Sequence, residues 1–401
     1  MKILQAYSKF YPSFASGGIV ALAYQICIEL VKKQHEVTFY TSDAIDRNTK
    51  IKDTNLPTNV NGITVYYAKT MLYNQAWKQK IFIMPQLINI TKKGIKGFDV
   101  IHLHESRGFL PMLIHHYAKK YGVPYIMDTH GSLPSVVAGE IRPKWLLRRL
   151  FDIVFGKGIL RDASKVIAEN EFAVRAYKAV GIEDEKIALI PLFFPIEDFS
   201  ELPSPGQFRN RYGIGERQVV MSLGRIHRIK GLDFLVESFC ELSHSMEEAI
   251  LVVVGPDDGY REELERLVSS LNLSGRVLFT GFLGGQDKLA ALVDADVLVQ
   301  PSRYEQAAWA PIEAVMCGTP IIVSKNTGSA EDVTRIGAGY SVEYGNKREL
   351  VGMIQRILED PSEARTKVQR AKEYIRADLS LTERIRDYEK LYMECINETK
   401  R

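Results

Sequence analysis

The chain has 401 residues, more than a single ordinary core holds, which predicts two domains. Its 46% apolar and 25% charged content is that of a soluble globular protein, and a formal net charge of +3 is too small to argue for a nucleic-acid partner. Cys27, Cys240, Cys317 and Cys395 lack the paired spacing of a zinc site or a disulfide framework. No apolar run approaches the ~20 residues of a membrane span, and MKILQAYSKFYPS has no signal-peptide core. A cytoplasmic location is expected.

In chain order, short strands alternate with amphipathic helices, the pattern of parallel sheets. Lys2 to Ala6 reads as a strand and Gly18 to Lys33 as a helix. The strands Val37 to Thr41, Ile63 to Ala68, Val100 to His104, Tyr125 to Thr129 and Val166 to Ala168 follow. Ile187 to Ser204 is proline-rich and aperiodic, so it reads as an interdomain linker. A second series comprises the strand at Val219, then Leu251 to Val254, Val277 to Thr280, Val297 to Gln300 and Pro320 to Val323. The last helix covers about Leu381 to Thr399.

Open parallel sheets bind ligands beyond the carboxyl ends of their strands, so the loops there carry the chemistry. After the first strand, Phe14-Ala-Ser16-Gly17-Gly18 opens a helix whose start offers N–H groups to phosphate. It is not a Gly-x-Gly-x-x-Gly fingerprint, because Ile19 to Leu22 supplies no third glycine. His102, His104 and Glu105 lie on and after one strand and His130-Gly131 after the next; a histidine there suits a metal, a sugar hydroxyl or a satisfied polar role. His102 and His104 take the plain polar reading, and Glu105 stays an acceptor-site candidate. In VVMSLGRIHRIKG a strand leads into Gly224-Arg225 and Lys230-Gly231, two cations suited to a phosphate-rich ligand. In PSRYEQAAWAPIEAVMCGTP, Glu305 sits on a loop at a helix mouth and Glu313 about two turns in. The amides between them, around Ala308 and Trp309, form a helix N-terminus that suits a diphosphate flanked by hydroxyls.

The order strand–GR–KG, then Val252-Val-Val-Gly255-Pro256, then PSRYE with Glu313 and Gly318-Thr-Pro320, resembles the retaining glycosyltransferases of family 4. The resemblance runs through nearly the whole chain and is strongest from Val219 to Val323. It implies an α/β, GT-B fold: two Rossmann-like domains facing across a cleft, with the C-terminal helix crossing back to the first. The expected division is 1–195 on the acceptor side, 196–375 for the nucleotide sugar and 376–401 as the returning helix. It also implies a nucleotide-diphosphate sugar as donor and a glycan, lipid-linked or small-molecule acceptor. His130 matches the position where relatives place a histidine at the sugar's hydroxymethyl group. Arg225 and Lys230 should hold the departing phosphate, Glu305 a sugar hydroxyl and Glu313 the ribose, with Gly17, Gly18 and Gly224 letting backbone approach the ligand. No cofactor or metal is expected, because the two cations do the work a divalent ion does elsewhere.

Two departures bear on the sugar: Ala307-Ala308 stands where many relatives have Phe-Gly, and Pro191-Leu192-Phe193 where they have Pro-Asn-Gly. A nucleotide-sugar epimerase of the same fold and a non-catalytic nucleotide-sugar sensor remain as alternatives. Arg142 to Phe151 mixes cations with large apolar groups, and Lys78, Lys80, Lys92, Lys93 and Lys96 add charge nearby in sequence, a pattern that suits either a core helix with a solvated basic face or a peripheral contact with an anionic membrane.

Overall fold

Runs of β-branched and other apolar residues form two sheets in this computed structural model, which describes residues 1–54, 56–133 and 150–400. The chain divides into two compact units, Met1–Leu192 with Leu381–Arg401, and Phe193–Ser380.

The first unit is built on eight strands: β1 (Lys2–Ala6), β2 (Glu36–Ser42), β3 (Thr58–Val60), β4 (Ile63–Ala68), β5 (Val100–Leu103), β6 (Tyr125–Asp128), β7 (Lys165–Ala168) and β8 (Ile187–Leu189). Their order is β3-β4-β2-β1-β5-β6-β7-β8, parallel except for the β3–β4 pair. That hairpin turns on Asn61-Gly62, both with positive φ, a signal for a two-residue turn that the sequence reading passes over. β8 lies inside the stretch read as linker. Three residues are too few to show a period, yet Val166↔Ile187 pairing makes them the sheet's edge. The helix Leu381–Lys400 belongs to this unit and packs against the helix Gly18–Lys32. Its Glu389 takes His35 at 2.8 Å and Lys33 at 3.0 Å, and its Glu394 takes Lys165 at 2.8 Å.

The second unit holds β9 (Gln218–Leu223), β10 (Ala249–Val254), β11 (Val277–Gly281), β12 (Val297–Gln300), β13 (Ile321–Ser324) and β14 (Tyr340–Val342), all parallel, in the order β11-β10-β9-β12-β13-β14. Every residue of β10, β12 and β13 is buried. Helices cover both faces of such a sheet, so its central strands are continuously apolar rather than alternating. In both units the chain winds outward in one direction, returns, and winds the other way. The reversal falls between β1 and β5 in the first sheet and between β9 and β12 in the second. Reversals of this kind open a crevice at the strands' carboxyl ends.

Candidate active site

In the second unit the two loops at the reversal, after β9 and after β12, are tied together. Arg303 N–H donates to Ile229 O at 2.8 Å. Gly231 turns at φ 64°, where a Cβ would lie 2.0 Å from Pro301 O. Only glycine lets the chains approach this closely. The lock delivers Lys230 to Glu305, and their side chains form an ion pair. The same carboxylate oxygen, Glu305 Oε2, accepts from Gln300 Nε2 at 2.9 Å and Ser302 Oγ at 3.2 Å. Arg225, beside Gly224, pairs with Asp258 from the loop after β10. Ser222, Gly224, Arg225, Lys230, Val253 and Gln300 line one crevice.

The helix after β12 runs Trp309–Cys317, with Pro311 in its first turn and no side chain capping its N-terminus at Ala308. Glu313, on its second turn, is buried and bonds Lys288 Nζ at 2.6 Å. Asp198 shares this neighbourhood. Burial raises its carboxyl above the usual range, against the lowering by Lys288, and Glu197 and Glu313 raise it further. Trp309 meets Phe194 and Phe193 edge-on, at 5.8 and 6.5 Å between ring centroids. The boundary between the units falls between Leu192 and Phe193, so this aromatic packing belongs to the second unit.

In the first unit, Gly17 caps the helix Gly18–Lys32 without a side-chain bond. At the β1/β5 reversal Ser8 Oγ donates to Glu105 at 2.9 Å. Burial pushes the Glu105 carboxyl up to about 7, against the lowering by Ser8 and Lys9. His130 follows β6 at φ 45°, and its side chain is 6% exposed. Its Nδ1 lies 3.0 Å from Asp128 Oδ1 and 3.6 Å from Glu169 Oε1. Its Nε2 lies 3.2 Å from His104 Nδ1, and His104 Nε2 is 2.6 Å from Gln5 Oε1. The amide oxygen only accepts, so His104 donates to it through Nε2 and accepts from His130 through Nδ1. His130 is therefore protonated on both nitrogens. Burial alone would lower its pKa, but Asp128 and then Glu169 outweigh that and hold it at about 9. The chain continues: Gln5 Nε2 donates to Tyr392 OH at 3.1 Å, and Tyr392 bonds His102 Nδ1 at 2.9 Å. His102, desolvated, stays neutral with its pKa lowered to about 3. Asp128, His130 and Glu169 each offer a ligand atom within 4.8 Å of the others. A proton on His130 Nδ1 accounts for the same contact.

The description "Glycosyl transferases group 1" matches residues 206–376 and "Glycosyltransferase Family 4" matches residues 16–198, so the two together span the site residues of both units. The chain is a family 4, group 1 glycosyltransferase. It is 23% identical over 403 residues to the N-acetyl-alpha-D-glucosaminyl L-malate synthase of Bacillus anthracis, covering 97% of each chain. Two solved structures share the GT-B fold. Sucrose-phosphate synthase from Thermosynechococcus elongatus superposes with a TM-score of 0.79 at 21% identity, over 99% of this chain and 100% of that one. Anabaena Alr3699/HepE in complex with UDP-glucose gives 0.76 at 19%, over 98% and 100%.

In this glycosyltransferase the sequence-derived residues Gly224, Arg225, Lys230, Glu305 and Ala308 lie on neighbouring loops, and Trp309 and Glu313 on the adjoining helix, at one reversal of the second sheet. Gly17, Gly18 and His130 belong to the other unit. The sequence reading missed the residues that hold these groups: Asp258, Lys288, Gln300 and Ser302 in one unit, Asp128, Glu169, Gln5 and Tyr392 in the other. Asp257-Asp258, directly after Gly255-Pro256, was the available signal, since acids beside a cationic loop invite pairing. Tyr392 had none, lying 387 residues from Gln5.

Proposed function

We propose that this glycosyltransferase moves a sugar from a nucleotide-diphosphate donor to a glycan, lipid-linked or small-molecule acceptor with retention of anomeric configuration, in polysaccharide or glycolipid assembly. The observation that carries the reading is the convergence of Arg225, Lys230 and Glu305 at the β9/β12 reversal, with Glu313 on the adjoining helix. As the bond from the anomeric carbon to the diphosphate oxygen breaks, its electron pair leaves with the phosphate. Arg225, Lys230 and the amides near Ala308 and Trp309 are placed to neutralise that charge. The acceptor oxygen bonds the same face of the carbon, and its proton passes to the departing phosphate. Glu305 orients a sugar hydroxyl, Glu313 takes the ribose diol, and His130 serves the sugar side. No metal enters this division of labour. Retention rests on the family resemblance. With a panel of nucleotide sugars, one donor should raise the melting temperature and be consumed only when acceptor is added. Glu313→Ala should lose that thermal shift; an unchanged shift, or isomerisation without acceptor, would refute the assignment.

The acceptor's lipid character has its own support. No described helix is long and apolar enough to cross a membrane. From residue 54 to residue 98, however, the sequence holds six lysines and no Asp or Glu. Met71, Leu72, Ile81, Ile83 and Ile88 are exposed there, and Met71 N–H bonds Ile83 O at 2.9 Å, which joins the two ends of the loop. Lys69, Lys78, Lys80, Lys92, Lys93 and Lys96 are exposed as well. Apolar side chains among cations, in a stretch of sequence without acids, fit the surface of an anionic bilayer, here the inner face of the membrane. Residues 142–149 of the basic segment singled out from sequence lie outside the described residues. The protein should sediment with phosphatidylglycerol vesicles and be released as salt rises. Replacing Lys78, Lys92 and Lys93 by glutamine should abolish sedimentation without altering donor affinity. Equal sedimentation of variant and wild type would remove this face from the proposal.

A further inference from the structure

The phosphate-binding lysine of the second unit is already in an ion pair with the residue assigned to the sugar. Lys230 and Glu305 side chains are 19% and 15% exposed, so water screens the pair only partly. The pair is also fixed from both ends. Gly231 and the Arg303–Ile229 bond hold the two loops together. Gln300 and Ser302 aim the same oxygen, Glu305 Oε2, that Lys230 takes. Neither partner can turn away without leaving hydrogen-bond donors behind in a crevice. Arg225 differs, because neither it nor its acid, Asp258, is assigned to the sugar.

This arrangement has a consequence for the two nucleotides that the site must meet. A loaded donor brings a sugar hydroxyl to Glu305, and its diphosphate is esterified at both ends. The spent nucleoside diphosphate brings Glu305 no hydroxyl of the transferred sugar, and its terminal phosphate carries an additional negative charge that faces the Glu305 carboxylate. We propose that Glu305 discriminates loaded from spent donor: its carboxylate competes with the terminal phosphate for Lys230, and re-formation of the Lys230–Glu305 pair expels the nucleoside diphosphate once the sugar has gone. The inference rests on Lys230 being the phosphate ligand, as in the proposed function. Glu305 then serves turnover twice, by orienting the sugar and by weakening the hold on product.

The test is calorimetric titration of the full chain with uridine diphosphate and guanosine diphosphate, together with product inhibition of transfer. Glu305→Gln keeps the side-chain length, removes the charge and should bind the preferred diphosphate about tenfold more tightly than wild type. Product inhibition should strengthen in parallel. In a Lys230→Ala background the same substitution should give little or no gain, because the competition is for that ammonium. Equal or weaker diphosphate binding by Glu305→Gln, or an undiminished gain without Lys230, would overturn the competition. A Lys230→Ala variant that binds diphosphate like wild type would instead overturn Lys230 as phosphate ligand, and with it the proposed function at that residue. Glu305→Ser, which also removes the carboxylate, provides the same comparison if the glutamine variant does not fold.

Discussion

Arg225→Ala and Lys230→Ala should each lower turnover by about 10²–10³-fold, the loss that follows removal of a preorganised charge from a transition state. Both side chains reach the reversal from one loop after β9, and each is held by a carboxylate, Asp258 and Glu305 respectively. They are therefore aimed before the donor arrives, which is what makes such a charge effective. The loss should fall mainly on the chemical step. Single-turnover rates at saturating donor measure that step, and wild-type rates in either variant would sink the assignment. Chelator added to wild type should leave activity largely intact, and an absolute need for added divalent metal would contradict the role given to these cations.

Gly255→Ala should be the most damaging small substitution in the second unit. Gly255 stands at φ 147°, and a Cβ there would lie 1.8 Å from Gly224 O. The carbonyl cannot withdraw, because Gly224 N–H is bonded to Val254 O at 2.9 Å and Ile226 N–H to Pro256 O at 2.9 Å. The two loops must separate, at a cost of about 3 kcal/mol or more. That corresponds to a melting temperature lower by roughly 6–12 °C for a unit of this size. Arg225 would move with its loop, so nucleotide binding should fall as well. Thermal melting with and without nucleoside diphosphate checks both effects, and a variant that melts and binds like wild type would refute the close approach.

Much of the candidate site in the second unit was legible because its residues are local in sequence. A strand end, a glycine and a cation within a few positions, as in Gly224-Arg225 and Lys230-Gly231, announce a loop that must lie at the carboxyl edge of a sheet. The helix carrying Glu313 was equally plain, since Pro311 is tolerated only in a first turn. The short edge strands were not legible: β8 and β14 have three residues each and no period to detect. Nor was the neighbourhood of His130. The sequence reading gave His102 and His104 no function, and the structure makes them members of one hydrogen-bonded chain with it.

The sequence by itself determined the alternation of strands and helices, the apolar runs that must be buried on both faces, and the residue types at strand ends. These are properties of periodicity, propensity and turn chemistry, which act over a few residues. Only the tertiary structure decided which charges meet. Lys230 and Glu305 are 75 residues apart, and they pair because β9 and β12 are neighbours in a sheet whose order is set by crossover connections. His130 carries its charge because Asp128, Glu169 and His104 enclose it, and the hydrogen-bonded chain from His104 passes through Tyr392 of the last helix, which folds back into the first unit. Burial and the positions of neighbouring charges set a pKa, and both come into being only when distant segments pack.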